Sequence, residues 1–303
     1  MTETKHYDLI VIGAGSGMRV MSVAANEYGW KVALVEEGPL GGTCLNRGCI
    51  PSKILIHTAD LVEEIKNAGK FGIDARIERI DFAKIIARAN TFVDDEAYLT
   101  EERCCATPNV TLYKTRAEFV NDKTIKVGDE TITGDRILIA AGTRPLAPSI
   151  PGLNEVKYLT STEALRLTVQ PKSMIIVGGG YIATELGHFY GALGTEITIV
   201  ETADVLVWRE DKDIAETFTK LFSEKHRLLL GYKVVKVAES GGMKKVSVEG
   251  KDGTTKELSA EALLVSVGRR SNADILKLEN TSVKVNDKGN ILVDKYLETN
   301  VPG

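Results

Sequence analysis

Two cysteines stand five residues apart in the segment Gly41-Gly-Thr-Cys44-Leu-Asn-Arg-Gly-Cys49-Ile-Pro-Ser-Lys53. Thiols at this spacing can close a small disulfide loop at the start of a helix. A helix N-terminus favours a thiolate, and a thiolate is both nucleophile and leaving group in disulfide exchange. Lys53 follows Cys49 by four residues, so a regular helix puts them on one face. Two other readings fit the same residues. Cysteines are often no more than small buried hydrophobes. A zinc site would need a second ligand pair, none lies elsewhere, and no metal is expected.

The elements that must hold such a pair emerge from a duplication. Val11-Ile-Gly-Ala-Gly-Ser-Gly-Met leads to Val-Ala-Leu-Val35-Glu36, and Ile176-Val-Gly-Gly-Gly-Tyr-Ile-Ala leads to Ile-Thr-Ile-Val200-Glu201. At an offset of 165, Gly13 falls on Gly178, Gly15 on Gly180 and Glu36 on Glu201. Each copy reads as strand, glycine-rich turn, helix, strand and terminal acid, the βαβ unit of a dinucleotide site. The first glycine allows the tight turn, and the second lets a pyrophosphate approach the backbone. The helix N-terminus offers N–H groups to the phosphates. The acid accepts from a ribose diol. Glu201 would repel a 2′-phosphate, which favours NADH over NADPH. Both copies depart at the third glycine, with Met18 and Ala183 in its place. Two incidental glycine-rich turns are the alternative, and one such motif alone would be weak.

The remainder divides around these units. Residues 52–70 and 81–103 read as helices. Residues 111–113, 124–127 and 130–133 read as strands of an antiparallel insertion, and 136–142 as a further apolar strand. Pro145 to Pro151 reads as a linker, 263–269 as a strand, Gly241-Gly242 as a turn, and Arg209 to Asp213 as a solvated helix start. Cys104 and Cys105 read as packed or exposed thiols. The 303 residues carry 38 basic and 42 acidic side chains, a net charge of −4, with 43% hydrophobic residues. That balance excludes a disordered or fibrous chain and gives no sign of a nucleic-acid or membrane partner. No stretch approaches the roughly 18 apolar residues of a membrane span. A cytoplasmic protein is expected.

The Gly41–Lys53 segment resembles the flavin-dependent pyridine nucleotide–disulfide oxidoreductases that carry the disulfide in the flavin domain. The resemblance covers essentially the whole chain. It implies an α/β fold of two Rossmann-like, three-layer domains, one for FAD and one for NAD, the NAD domain inserted into the FAD domain. The first part of the FAD domain would be residues 1–147, the NAD(P) domain 148–270, and the start of the return 271–303. Carried over, Gly13, Gly15 and Glu36 would bind the ADP half of FAD, with Gly17, Gly42, Thr43, Ala141 and Gly142 among the cofactor positions. Cys49 would be the charge-transfer thiol beside the flavin and Cys44 the interchange thiol. Lys53 would sit near flavin N5, paired with Glu185. Gly178, Gly180 and Glu201 would bind the nicotinamide cofactor, with Ile182 and Gly268 nearby. Tyr181 stands where some members cover the flavin until nicotinamide enters.

The implied reaction is a two-electron relay between a dithiol or disulfide substrate, Cys44–Cys49, FAD and NAD(H). Leu45-Asn46 and Ile50-Pro-Ser-Lys53 look most like dihydrolipoamide dehydrogenase, while Tyr181-Ile-Ala-Thr-Glu185 leans to mycothione and glutathione reductases. The NADH preference supports the lipoamide substrate, ahead of a low-molecular-weight disulfide. Mercuric reductase is disfavoured, because it typically adds a cysteine pair beyond this chain's end. The family pattern continues past Gly303 into a Gly-Asp strand and a dimerisation domain with a His–Glu acid/base pair. The expectation is therefore a C-terminally truncated chain, whose full-length parent is a homodimer and a candidate member of a 2-oxo-acid dehydrogenase complex. The non-enzymatic alternative is an inactive nucleotide-binding module. His6, His57, His188 and His226 match no part of the His–Glu pair and read as surface or packing residues.

Overall fold

Short aliphatic runs bounded by glycine form the parallel strands. The computed structural model describes residues 4–303. In chain order they form β1 (Lys5–Ile12), α1 (Gly17–Asn26), β2 (Val32–Val35), α2 (Gly42–Arg47), α3 (Cys49–Asn67) and α4 (Phe82–Ala106). Then come β3 (Val110–Tyr113), β4 (Ala117–Asn121), β5 (Thr124–Val127), β6 (Glu130–Ile139), β7 (Thr143–Pro145) and the single-turn α5 (Ser161–Ala164). The rest is β8 (Ser173–Val177), α6 (Tyr181–Ala192), β9 (Glu196–Glu201), α7 (Lys212–Ser223), β10 (Arg227–Leu230), β11 (Tyr232–Ser240), β12 (Met243–Gly250), β13 (Thr255–Ala260), β14 (Ala262–Val265) and β15 (Arg269–Ser271). The fold is α/β, and its contacts divide it into two units. One holds the N-terminal segment through Asn46, Phe92–Arg144 and Arg269–Gly303; the other holds Arg47–Thr91 and Pro145–Gly268.

The first unit is built on a six-stranded sheet in the order β3-β2-β1-β6-β5-β4. β3, β2, β1 and β6 run parallel, and β5 and β4 return antiparallel. Successive side chains of a strand point to opposite faces. Leu9 and Val11 therefore pack with Met21, Ala24 and Ala25 of α1, while Ile10 and Ile12 pack with Phe119, Ile125 and Ile132 on the other side. Cys104 is buried in the α1 layer, and burial pushes its thiol up to about 11, whereas Cys105 is exposed.

The second unit repeats the plan with parallel order β10-β9-β8-β14. Ile176 faces α3, α4 and α6, and Ile175 and Val177 face the three-stranded antiparallel sheet β11-β12-β13. The duplication extends to register. Leu9 pairs with Val32 in the first unit, and Met174 pairs with Ile197 in the second, each shifted by the same 165 residues.

Helix α3 docks on α6 through an apolar seam of Leu55, Ala59 and Val62 against Ala183, Leu186 and Phe189. Polar pairs line its edge. Lys53 Nζ donates to Glu185 at 2.7 Å, the His188 ring meets Asp60 at 2.8 Å, and Lys66 Nζ donates to the Ala192 carbonyl at 2.7 Å.

Several boundaries differ from the sequence reading. Residues 130–139 form one strand rather than two, because Gly134 lies mid-strand where a Cβ would meet the Ile10 side chain at 2.9 Å. The expected 263–269 strand ends at Val265, where Ser266 turns its N–H to the Val177 carbonyl. The Arg209–Asp213 helix start lies at Lys212, and the Gly241-Gly242 turn joins β11 to β12 as expected. β4 and β13 had no counterpart in the reading, since their short mixed stretches carry little periodicity.

His226 packs with its ring tilted on Phe222 and under Gly191, where a Cβ would meet the ring at 2.3 Å. Burial first, then the nearby His188 and Lys225, lower its imidazole to about 4, against a smaller upward pull from Glu63. The unfolded chain takes up this proton near pH 6.5, while the folded chain resists until about pH 4. Stability is thus full above pH 6.5 and declines as pH falls towards 4. Urea unfolding at pH 7 and 4.5 tests this. H226Q should shrink the loss between the two pH values by about 1–2 kcal/mol, the figure being discounted for partial exposure.

Candidate functional site

Each βαβ unit follows its first strand with a glycine where any side chain would be strained. Gly13 has φ +105°, and a Cβ there would stand 2.3 Å from the Ala140 carbonyl oxygen. Gly178 has φ +102°, and its Cβ would stand 2.6 Å from the Ser266 oxygen. The neighbouring strand comes this close because Ala140 donates to the Ile12 carbonyl and Ser266 to the Val177 carbonyl, at 2.8 and 2.9 Å.

The turn is then tied to the acid of the second strand. Ala14 N–H donates to Glu36 Oε2 at 2.9 Å and Gly38 N–H to Oε1 at 2.7 Å. Gly179 N–H donates to Glu201 Oε2 at 2.5 Å and Ala203 N–H to Oε1 at 2.8 Å, with the Thr202 hydroxyl also donating to Oε1. Glu201 is buried by this arrangement. A further backbone bond closes each turn. Gly41 N–H donates to the Ala14 carbonyl, and Val207 N–H donates to the Gly179 carbonyl, both at 2.8 Å.

The second glycine of each motif has a different cause. Gly180 has φ −79°, which any residue adopts, and a Cβ there would meet nothing within 4 Å. A Cβ on Gly15 would make only ordinary contact with Gly42 Cα, at 3.5 Å. These glycines leave a cradle rather than satisfy the chain. Helices α1 and α6 begin beside the cradles, and neither takes a side-chain cap; in α1 the Met18 and Arg19 N–H groups donate to the Gly15 and Ser16 carbonyls, at 3.1 and 3.2 Å. The space left at Gly15 and Gly180 fits the close approach of a dinucleotide pyrophosphate to the backbone. Gly17, by contrast, packs: its Cβ would press on Ala140 Cβ at 2.8 Å and Val11 Cγ1 at 2.9 Å. It does the close helix–strand packing of a third glycine, one residue ahead of Met18.

Gly42, Thr43 and Cys44 open α2 directly after the closing bond of the first turn. Gly42 has φ +59°, and a Cβ on it would clash with Gly15 Cα at 2.6 Å. Asn46 pins this segment by donating from Nδ2 to the carbonyls of Pro39, Leu40 and Gly42, at 3.2, 2.9 and 3.0 Å. Its Oδ1 is buried without a protein partner, an acceptor that a bound polar ligand could satisfy. Ala141 and Gly142 follow β6, and their carbonyls accept from the side chain and backbone of Asn272 at 2.8 and 3.1 Å.

Cys49 is exposed at the first position of the 19-residue α3, with Gly48 as its cap. Lys53 lies one turn on and holds Glu185, the fifth residue of α6. Tyr181 opens α6 with a 65% exposed ring, and Ile182 packs partly into the core beneath. Gly268 is exposed with φ +134°, and its carbonyl accepts from Leu146 N–H at 3.0 Å. Cys44 is exposed in the first unit, and Cys49 belongs to the second. Among the described residues no cluster could hold a metal, and no helix is long and apolar enough to cross a membrane.

The backbone bonds to Glu36 and Glu201, the Asn46 brace and the Asp60–His188 pair lay beyond the sequence reading. Carrying the 165-residue offset past the acids would have found part of the frame, since Gly38 falls on Ala203.

Twin glycine turns, each tied to a terminal acid, define a fold of two βαβ units of the dinucleotide-binding type. The chain belongs to the pyridine nucleotide-disulphide oxidoreductase family, whose profile matches residues 7–303. It is 36% identical to a mercuric reductase of Staphylococcus aureus, over 97% of this chain and 54% of that protein. A mycothione reductase of Mycobacterium tuberculosis is also 36% identical, over 98% and 64%. A dihydrolipoyl dehydrogenase of Geobacillus stearothermophilus is 37% identical, over 97% and 63%. The copper(II) complex of RclA, an HOCl-induced flavoprotein disulfide reductase of Escherichia coli, superposes with a TM-score of 0.85 at 30% identity, over 98% of this chain and 64% of that one. The chain thus spans between 54% and 64% of the length of these relatives.

The two glycine types are separable by experiment. G13A should cost about 2–4 kcal/mol of stability, from strain and overlap together. G180A should leave stability within about 0.5 kcal/mol, as expected for a change that touches nothing. It should still raise the dissociation constant for NADH at least about tenfold, by filling the cradle. Thermal unfolding and calorimetric titration read the two effects. Equal destabilisation by both variants would make Gly180 a structural glycine.

Proposed function

We propose that this chain transfers two electrons between NADH and a dithiol or disulfide through the Cys44–Cys49 pair, with dihydrolipoamide as the thiol substrate. Sequence supports the lipoamide reading through Leu45-Asn46 and Ile50-Pro-Ser-Lys53. The observation that carries the two-electron reading is the exposed Cys44, directly after a glycine cradle, followed five residues on by Cys49 at a helix N-terminus. The unit built on β1 would hold FAD, through Gly13, Gly15, Glu36, Gly42 and Thr43. The unit built on β8 would hold the nicotinamide cofactor, through Gly178, Gly180 and Glu201. FAD, when bound, supplies the two-electron carrier between nicotinamide and sulfur. NADH is preferred because the buried Glu201 carboxylate would repel a 2′-phosphate.

The sulfur chemistry belongs to the chain itself. One thiolate of dihydrolipoamide attacks Cys44 Sγ of the disulfide, and Cys49 leaves as a thiolate at the start of α3. The second substrate thiol then attacks its own sulfur in the mixed disulfide, and Cys44 leaves. Lipoamide is released, the substrate has lost two electrons, and the cysteine pair has gained them. Cys49 opens α3, where the positive end of the helix dipole favours a thiolate. Lys53, held by Glu185, keeps a cation one turn from Cys49 on the same helix face.

The protein is proposed to be a cytoplasmic homodimer, and membership of a 2-oxo-acid dehydrogenase complex goes with the lipoamide substrate. A low-molecular-weight disulfide of the mycothiol or glutathione type is the second substrate reading, favoured by Tyr181-Ile-Ala-Thr-Glu185. Mercuric, mycothione and lipoyl enzymes are about equally similar to this chain, so identity does not rank them.

The FAD-saturated full chain should reduce NAD⁺ with dihydrolipoamide faster than it oxidises NADH with glutathione or mycothiol disulfide. C44S and C49S should each lower that rate at least about a thousandfold while retaining FAD, as loss of a nucleophile does. A faster disulfide reaction would install the second substrate reading. Full activity in either variant would remove the cysteine pair from the mechanism. No turnover with any substrate by a flavin-loaded chain would leave a nucleotide-binding module.

A further inference from the structure

The two turns close with equivalent bonds but deliver different residues. In the first, Gly41 takes φ +103° to make the bond, and Gly42 and Thr43 follow at the cradle. In the second the same bond is made by Val207, at φ +43°. A β-branched residue in the left-handed region is strained, and it persists only where its surroundings enforce it. They do so here. Leu206 is fully buried, its N–H donates to Thr219 Oγ1 at 2.9 Å, and its side chain occupies the space a Cβ on Gly179 would need.

The residue that this anchored strain presents is Trp208. Its ring is 53% exposed although the preceding two residues are tied to the glycine turn. The Arg209 guanidinium lies 5.0 Å from the ring centroid and backs one face of the indole. A dinucleotide bound with its pyrophosphate on the turn and its ribose diol at Glu201 must run its adenosine along the segment after Glu201. That segment is the loop ending in Val207 and Trp208.

We infer that Trp208 is the stacking platform for the adenine of the nicotinamide cofactor. The inference rests on the reading of the second turn as a dinucleotide site. Arg209 holds the indole in place from behind, and the strained Val207 sets its height above the turn. The first unit has glycine at the matching step, so the platform is particular to the second site.

ADP-ribose carries the adenosine half without nicotinamide and so leaves the flavin unreduced. Calorimetry on the FAD-saturated full chain gives its dissociation constant, with thermal unfolding as the check on folding. W208A should weaken ADP-ribose about tenfold, the ordinary contribution of one base–aromatic stack. W208F should stay within about threefold of wild type. The chain has two tryptophans, so W30F isolates Trp208. Its emission should be quenched by ADP-ribose in W30F and not in W208F. Unchanged affinity in W208A, or equal weakening in W208A and W208F, would overturn the platform. A wild-type chain that binds no ADP-ribose would instead overturn the dinucleotide reading beneath it, and the platform with it.

Discussion

One contact sets the geometry on which both halves of the molecule depend. A turn N–H donates to a carboxylate at the end of the next strand: Ala14 to Glu36, and Gly179 to Glu201. The bond holds the turn at the edge of the sheet and points the helix start at one place. It forms only because Gly13 and Gly178 carry no side chain where the neighbouring strand crosses. The strand order then does the rest. In each parallel sheet the chain moves outward from the central strand and later returns on its other side. In sheets of this kind ligands bind at that reversal, beside the carboxyl ends of the strands.

The residues just after the turn decide the use of each copy. In the first copy the closing residue is a glycine, and the chain passes through Gly42 into a short helix with Cys44 on it. Asn46 fixes that passage with one amide group. In the second copy a strained valine closes the turn and an exposed tryptophan comes next. One frame thus leads to the exposed Cys44 in one copy and to the exposed Trp208 in the other. Helix α3 is the third fixed part. It begins at Cys49, and its apolar face and polar edge run along α6, so the thiol sits on a well-seated element rather than on a loop. Sites held on rigid elements keep their geometry better than sites held on loops.

Much of this was legible in the sequence. The parallel strands, the glycine turns and the terminal acids followed from the 165-residue duplication, and even the pairing register repeats at that offset. The cysteine pair and Lys53 stood out by spacing. The rest was hidden for physical reasons. β6 reads as two strands because Gly134 breaks the apolar alternation, though in three dimensions it makes room for Ile10. Gly17 also packs helix against strand, a contact that only the Val11 and Ala140 side chains reveal. The pairs along α3 and α6 join residues more than 120 positions apart, where no local pattern signals them. The Val207 conformation has no sequence signature, because valine rarely adopts it.

The central claim is that electrons from the nicotinamide cofactor arrive at Cys44 and Cys49. Its most direct test is a thiol count on the oxidised, FAD-saturated full chain, before and after one equivalent of NADH without oxygen. The account predicts two new titratable thiols for each NADH consumed, mapped to Cys44 and Cys49, and none in C49S. NADH consumed with no gain of thiols would show that the electrons stop elsewhere and would contradict the account.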